Sequence, residues 1–79
     1  MKTRVHVFLK PGVLDVQGKA IEGALHGLGF SDAANVRVGK TIELDVKGDD
    51  ASAATAEATR MAEQLLANTV IESYRVEVG

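Results

Sequence analysis

The 79-residue chain has no cysteine, one proline (Pro11) and only three aromatic residues. Without cysteine, disulfides and thiolate metal sites are excluded. So few aromatics leave little for a base-stacking platform, and a net charge of −2 argues against a broad nucleic-acid surface. No apolar run approaches the ~20 residues of a membrane span, and the N-terminal residues do not read as a signal peptide. We therefore expect a soluble, cytoplasmic protein.

The short chain limits how much core the protein can bury. A domain of this size buries only about 60% of the surface of its unfolded chain. Neither a disulfide nor a structural metal site can stabilise the chain, because cysteine is absent and the two histidines are far apart in sequence. Oligomerisation is the remaining common means of support. The sequence thus predicts one small domain, residues 1–79, that oligomerisation would support.

Hydrophobic periodicity predicts alternating strands and helices. Period-two alternation favours strands, and apolar residues at helical spacing favour helices, the first capped by Asp15 and ended by Gly29. Gly39-Lys40 interrupts one alternating run, either as a tight hairpin or as a kink or bulge in a single long strand. The predicted elements are a strand in 3–10, a helix in 16–28, strands within 36–46, a helix in 51–67 and a strand in 70–78.

This order matches the split βαβ plan, βαββαβ, of the α+β class. The prediction is a two-layer sandwich in which two helices cover one face of a mostly antiparallel, four-stranded sheet. Two helices cannot cover both faces. The second face must therefore meet water or a partner, which again favours an oligomer.

The segment GVLDVQGKA (12–20) raises the question of a phosphate-binding loop. That motif needs four residues between its first glycine and its Gly-Lys, followed by Ser or Thr to hold magnesium. Here five residues separate Gly12 from Gly18-Lys19, and Ala20 follows. The apolar residues inside the segment suit packing or docking better than phosphate binding. A nucleotide loop is therefore rejected.

No self-sufficient active site emerges from the remaining residues. His6 and His26 fall on separate elements, and no serine has the flanking glycines of a nucleophile elbow. Glu43 and Asp45 lie two apart on a strand face, where a solvated surface explains them as well as a paired site. Phe8 is the only aromatic on the outward face, so an RNA-recognition surface is rejected. We expect no catalytic residue and no metal site.

Three blocks of the sequence closely resemble the PurS family, the small subunits of phosphoribosylformylglycinamidine (FGAM) synthase. They fall in the family's order and cover most of the chain. Two departures occur, because the family often has proline at the positions of Val16 and Thr69. Neither change removes a reactive group. The blocks are LKPGVLDVQGKAIEGALHGLGF (9–30), VRVGKTIEL (36–44) and LLANTVIESYRVEV (65–78).

The resemblance implies a role inside a larger complex of purine biosynthesis. That complex makes formylglycinamidine ribonucleotide from formylglycinamide ribonucleotide, glutamine and ATP. A large subunit uses ATP and magnesium, and a separate glutaminase subunit releases ammonia. The PurS-type subunit is a dimer or higher assembly that bridges the two and has no catalytic residue or cofactor of its own.

Two surfaces are predicted to make contacts. The first is a docking loop between the first strand and first helix, for which the alternative is a plain connection with Val13 or Leu14 in the core. The second set holds two separate candidates for self-association or a partner contact. One is the uncovered sheet face with the alternating run 36–46. The other is the pair of basic residues near the Gly39-Lys40 break, for which surface solvation is the alternative. The docking residues are Lys10, Pro11, Gly12, Val13, Leu14, Asp15 and Gln17, and the second set is His6, Phe8, Arg37 and Lys40.

One rival interpretation is an ACT-like regulatory module. ACT domains share the fold plan, and KPGVLD (10–15) resembles their turn after the first strand. Such a module would bind a small amino acid between paired domains. The rival explains this one loop, whereas the PurS resemblance also explains the blocks at 36–44 and 65–78.

Overall fold

A computed structural model describes residues 1–79 and contains three strands and two helices. All strand pairs are antiparallel, and the sheet order is β2-β1-β3, so β1 is central. A π-helical turn continues the second helix. The elements are β1 (Lys2–Leu9), α1 (Val16–Gly27), β2 (Gly39–Asp45), α2 (Ala51–Met61), the π turn (Ala62–Leu66) and β3 (Glu72–Val78).

The α+β class, the antiparallel sheet and the two helices are confirmed. The sheet has three strands where four were predicted, because residues 36–38 stay outside it. Their amides are bound by carboxylates near α1 instead: Val36 N donates to Glu22 and Val38 N donates to Asp15. The break at Gly39-Lys40 is neither a hairpin nor a kink within a strand. β2 begins there.

The core lies between the central strand and α2. Val5 and Val7 of β1 are essentially inaccessible, and α2 meets them with alanines, of which Ala58 is fully buried. A helix that presents methyl groups can approach the sheet closely, so few large side chains are needed to fill the space. The core is correspondingly thin. Ala54, Ala62 and Ala67 complete its buried apolar set.

The first helix differs from the prediction that both helices cover the sheet. α2 packs against β1 and β3, whereas α1 projects from the end of the sheet, and the chain measures 48 × 25 × 14 Å. The first residues of α1 lie directly against residues 36–38. The contact is so close that a Cβ on Gly18 would lie 2.4 Å from the Val36 carbonyl oxygen. Ile21 and Leu28 are 44% and 74% exposed. Within one chain, the apolar stripe of α1 is largely uncovered.

The helix ends follow local chemistry. Asp15 and Asp50 cap α1 and α2, and Gly29 takes a φ of +99° just after α1, as predicted. The π turn was not predicted. Its i→i+5 bond, from Ala67 N to Ala62 O at 3.0 Å, adds a residue to the turn, and Leu65 within the turn is 83% exposed.

The two chain termini lie at one end of the sheet. Gly79 N donates to Lys2 O at 2.9 Å, and the Met1 amino group donates to Val46 O. The loop that follows β1 leaves from the opposite end, where Leu9 pairs with Glu72. None of the helices has the length and apolar character needed to cross a membrane.

Candidate functional site

The loop between β1 and α1 begins with a tight turn. Val13 N donates to Lys10 O at 2.9 Å, and Lys10 N donates to Ile71 O at 2.8 Å, which ties the turn to the start of β3. Pro11 occupies the second position of this turn, where its fixed φ is favourable. Gly12 has no positive φ, and a Cβ there would meet nothing within 4 Å. The turn itself therefore does not require glycine at position 12.

Arg37 holds both sides of the loop. Its Nη2 donates to Leu9 O at 3.0 Å and Lys10 O at 3.1 Å, and its Nη1 donates to Val13 O at 3.4 Å. A planar guanidinium suits such multiple bonding, whereas a lysine offers a single point of charge. We predicted Arg37 on a partner-facing surface, and its link to the loop was missed. No local pattern connects an arginine with carbonyl groups more than twenty residues earlier.

Asp15 joins the loop to the segment that precedes β2. Its Oδ1 accepts from Gly18 N at 2.9 Å and its Oδ2 accepts from Val38 N at 2.7 Å, and the residue is only 5% exposed. The hydrogen bond from Val38, followed by that from Gly18, lowers the pKa of Asp15 below its ordinary value. The charge of Arg37 adds to this effect. The predicted N-cap is confirmed, and its second bond is a tertiary contact.

Glu22 makes a similar contact about two turns along α1 from Asp15. Its Oε1 accepts from Val36 N at 3.1 Å, and this hydrogen bond is the main reason why the pKa of Glu22 is lowered. Together with Asp15, it fixes α1 against residues 36–38. The helix and the loop therefore form one rigid unit at the end of the sheet.

An open cleft of about 370 Å³ lies along this unit. Leu14 is 69% exposed at its wall, and neither Leu14 nor Val13 belongs to the core cluster. Gln17 and Lys10 are also exposed. The structure thus brings together the predicted docking residues and Arg37. The lining residues are Pro11, Gly12, Val13, Leu14, Asp15, Lys19, Glu22, Asn35, Val36 and Arg37.

The four residues of the second predicted set do not lie on one face. His6 and Phe8 lie on the sheet face opposite α2, where His6 Nδ1 is 2.9 Å from Thr41 Oγ1. Lys40 pairs directly with Val7 and therefore lies on the helix-bearing face. Arg37 belongs to the loop. The break at Gly39 begins a strand and so fixes the alternation of faces. Self-association or a partner contact through these residues stays a prediction.

The sheet face around His6 is polar and cross-linked. His6 Nε2 lies 2.8 Å from Glu77 Oε1, and this hydrogen bond is the main cause of the lowered pKa of Glu77. Arg4 pairs with Glu43 at 2.8 Å on the same face. Each pair joins β1 to a neighbouring strand. Their polar groups thus have partners within the chain.

The region that resembled a phosphate loop serves packing. Gly18 is buried in α1 at its close approach to the Val36 carbonyl, so it forms no open cradle. His26 Nε2 lies 2.6 Å from Ala33 O, which closes the turn after α1. No cluster of histidine and carboxylate side chains is placed to hold a metal ion. What the arrangement offers is an exposed loop whose conformation is held by hydrogen bonds.

Comparison with known proteins identifies similar chains. Residues 2–79 match the family model PurS, described as phosphoribosylformylglycinamidine (FGAM) synthase. The FGAM synthase subunit PurS of Bacillus subtilis is 46% identical over 98% of this chain and 90% of its own. A crystal form of B. subtilis PurS superposes with a TM-score of 0.83 at 44% identity, over 99% of this chain and 96% of that one.

A chain in the structure of PurLQS from Thermotoga maritima is also similar. It has a TM-score of 0.86 and 30% identity, over 96% of this chain and 93% of that one. The resemblance seen in the three sequence blocks is thereby confirmed. These comparisons do not support the ACT-like alternative.

Proposed function

The chain belongs to the PurS family of FGAM synthase subunits, and on that premise we propose that it bridges two partners in purine biosynthesis. The partners are the glutaminase subunit and the large, ATP-dependent synthetase subunit. By holding them together, it lets ammonia released from glutamine convert formylglycinamide ribonucleotide to formylglycinamidine ribonucleotide. The similar chain in the T. maritima PurLQS structure supports a place in such a complex.

The rigid loop at residues 10–17 is the observation that carries this proposal. Arg37 fixes the loop by donating hydrogen bonds to the Leu9 and Lys10 carbonyl oxygens, while Leu14 stays 69% exposed. An exposed leucine on a loop already held in one conformation loses little entropy on binding, which favours a docking role. Gly12, which the turn does not require, leaves room for a partner's backbone at the tip.

The proposal assigns the chemistry to the partners. ATP and magnesium belong to the large subunit, and this chain supplies no catalytic group or cofactor. This chain acts as a homodimer or homotetramer in the cytoplasm, which contains ATP and glutamine. Its contribution is therefore to the geometry of the complex.

The decisive experiment compares two nitrogen sources. Purified large subunit and glutaminase are assayed with and without this chain, using glutamine in one series and ammonia in the other. We expect glutamine-dependent synthesis to require the chain and ammonia-dependent synthesis by the large subunit to proceed without it. If adding the chain changes neither rate, the bridging role is wrong.

The Leu14→Asp variant tests the docking loop. A carboxylate in place of an apolar contact should weaken complex assembly by about a hundredfold, since central apolar anchors carry most of an interface's binding energy. Circular dichroism should show the isolated chain still folded, because Leu14 is exposed. Ala56→Asp adds the same charge to an exposed position of α2 and should leave assembly unchanged. Unfolding of Leu14→Asp would instead indicate a core role.

A further inference from the structure

The turn at residues 68–71, just before β3, lies beside the docking loop. Ile71 O accepts a hydrogen bond from Lys10 N at 2.8 Å, so the turn and the loop share a backbone contact. A cleft of about 230 Å³ is lined by Gln17 from the loop and by Glu72 from the base of the turn. The loop and the turn therefore form one continuous surface at this end of the sheet, which we call the loop-end surface.

The turn is held in one conformation by its own hydrogen bonds. Asn68 Oδ1 accepts from Val70 N at 3.2 Å, and Asn68 O accepts from Ile71 N at 3.1 Å. The Glu72 carboxylate accepts in return from Asn68 N at 2.6 Å. Val70 is 80% exposed on this frame. It is thus a second exposed apolar group, after Leu14, on a segment that loses little entropy on binding.

The accessible charge of the loop-end surface is positive. Lys10, Lys19 and Lys40 are exposed there, and the ion pairs of the chain join other residues. The carboxylates of the same region each accept a hydrogen bond from a backbone N–H group and are engaged within the chain. These carboxylates belong to Asp15, Glu22 and Glu72. A partner therefore meets ammonium groups beside two apolar side chains.

These features disfavour two occupants of the surface. A second copy that met it across a two-fold axis would bring the same lysines toward each other, and like charges oppose association. Nucleic acid is disfavoured by the net charge of −2 and by the exposed Leu14 and Val70. A protein surface with an apolar centre and an acidic rim complements both the apolar groups and the lysines.

We propose that the loop-end surface docks on another subunit of the complex whose contact area is apolar at its centre and acidic at its rim. Leu14 and Val70 are the apolar anchors, and the three lysines face the acidic rim. The anchors supply most of the affinity, whereas the lysines speed and orient the encounter. This inference rests on the proposed bridging role, to which it adds the turn before β3 and the chemistry of the partner.

Titration of the chain into a mixture of the two purified partner subunits tests the apolar anchor. Glutamine-dependent synthesis is followed as the chain is added, which gives the half-saturating concentration of the chain. Val70→Asp should raise this concentration at least about tenfold, because a carboxylate replaces an apolar anchor. Ala56→Asp puts the same charge on an exposed position of α2 and should titrate like the unmodified chain.

Charge reversal tests the lysines. Lys10→Glu should raise the half-saturating concentration about tenfold at ~50 mM salt and much less at ~500 mM, since added ions screen the contact with the acidic rim. Lys47→Glu makes the same change at an exposed position just after β2, at the opposite end of the sheet. It should have no effect at either salt concentration.

The outcomes separate this inference from the bridging role. If the unmodified chain does not stimulate glutamine-dependent synthesis, the bridging role is wrong and the inference falls with it. If the unmodified chain does stimulate synthesis and either variant titrates like its control, the bridging role stands and the proposed surface is wrong. Circular dichroism checks that Val70→Asp is folded. Should it unfold, Lys10→Glu decides alone.

Discussion

At the scale of the residue, Asp15 shows how one carboxylate organises the candidate site. It caps α1 through Gly18 N and fixes the segment before β2 through Val38 N. The ionised carboxylate accepts both hydrogen bonds, and each bond lowers the pKa of Asp15. The loop's rigidity therefore depends on the charge state of a nearly buried side chain. An amide at this position would accept once and turn an N–H group toward a backbone donor.

The stability of the chain should depend on pH through Asp15. Its pKa is lowered in the folded state, so its stabilising effect is complete above the unfolded value of about 3.9 and is lost as the pH falls toward the folded value. Asp15→Asn should lower the melting temperature at pH 7 by on the order of 5 °C. The difference in melting temperature between Asp15→Asn and the unmodified chain should shrink below about pH 4. A gap that stays constant from pH 7 to about pH 3 would contradict this account.

At the scale of the element, α2 is built to lie close to the sheet. Its buried side is made of alanine, and Ala58 is fully enclosed beside Val5 and Val7. Alanine also favours the helix itself, so local propensity and tertiary packing agree. The spacing between helix and sheet is thereby set by methyl groups.

Enlarging Ala58 should force the two layers apart. We expect Ala58→Leu to destabilise the chain by about 1–3 kcal/mol, the usual cost of overpacking a core. Ala56→Leu, at an exposed position of the same helix, is the matched control and should change stability by less than about 0.5 kcal/mol. Urea unfolding of both variants measures the difference. Equal stability of the two variants would show that the layers are not in close contact at Ala58.

The same elements show how far the sequence could predict the structure. Alternation at Val5 and Val7 placed β1 correctly, and the cap at Asp15 followed from local chemistry. Helical spacing predicted one helix over 51–67, and the π turn at Ala62–Leu66 departs from it, because helical spacing cannot register one added residue. Arg37 reaches carbonyl groups distant in sequence, so its position became clear only in three dimensions. Hydrophobic periodicity and helix caps depend on residues close together in sequence, whereas these contacts form only when the chain has folded.

At the scale of the whole molecule, stability and association should be coupled. The largest fully buried side chains are Val5, Val7 and Thr3, all from one strand. Such a core supplies little free energy by itself, and the exposed stripe of α1 supplies more only when another molecule covers it. Folding alone therefore leaves part of the available hydrophobic stabilisation unused.

The melting temperature should rise with protein concentration. If association stabilises the folded chain, raising its concentration about a hundredfold should add several degrees by mass action. Scanning calorimetry or circular dichroism over that range measures the slope. A melting temperature independent of concentration in the unmodified chain would argue for a self-sufficient monomer.

The position of the two termini has a practical consequence for labelling. Thr3 pairs with Val78 on neighbouring strands, at the end of the sheet away from residues 10–17. A fluorophore, affinity tag or fused protein at either terminus thus extends away from the docking loop. A short linker from Gly79 to Met1 would also permit circular permutation, with new ends opened in the exposed turn at Gly48.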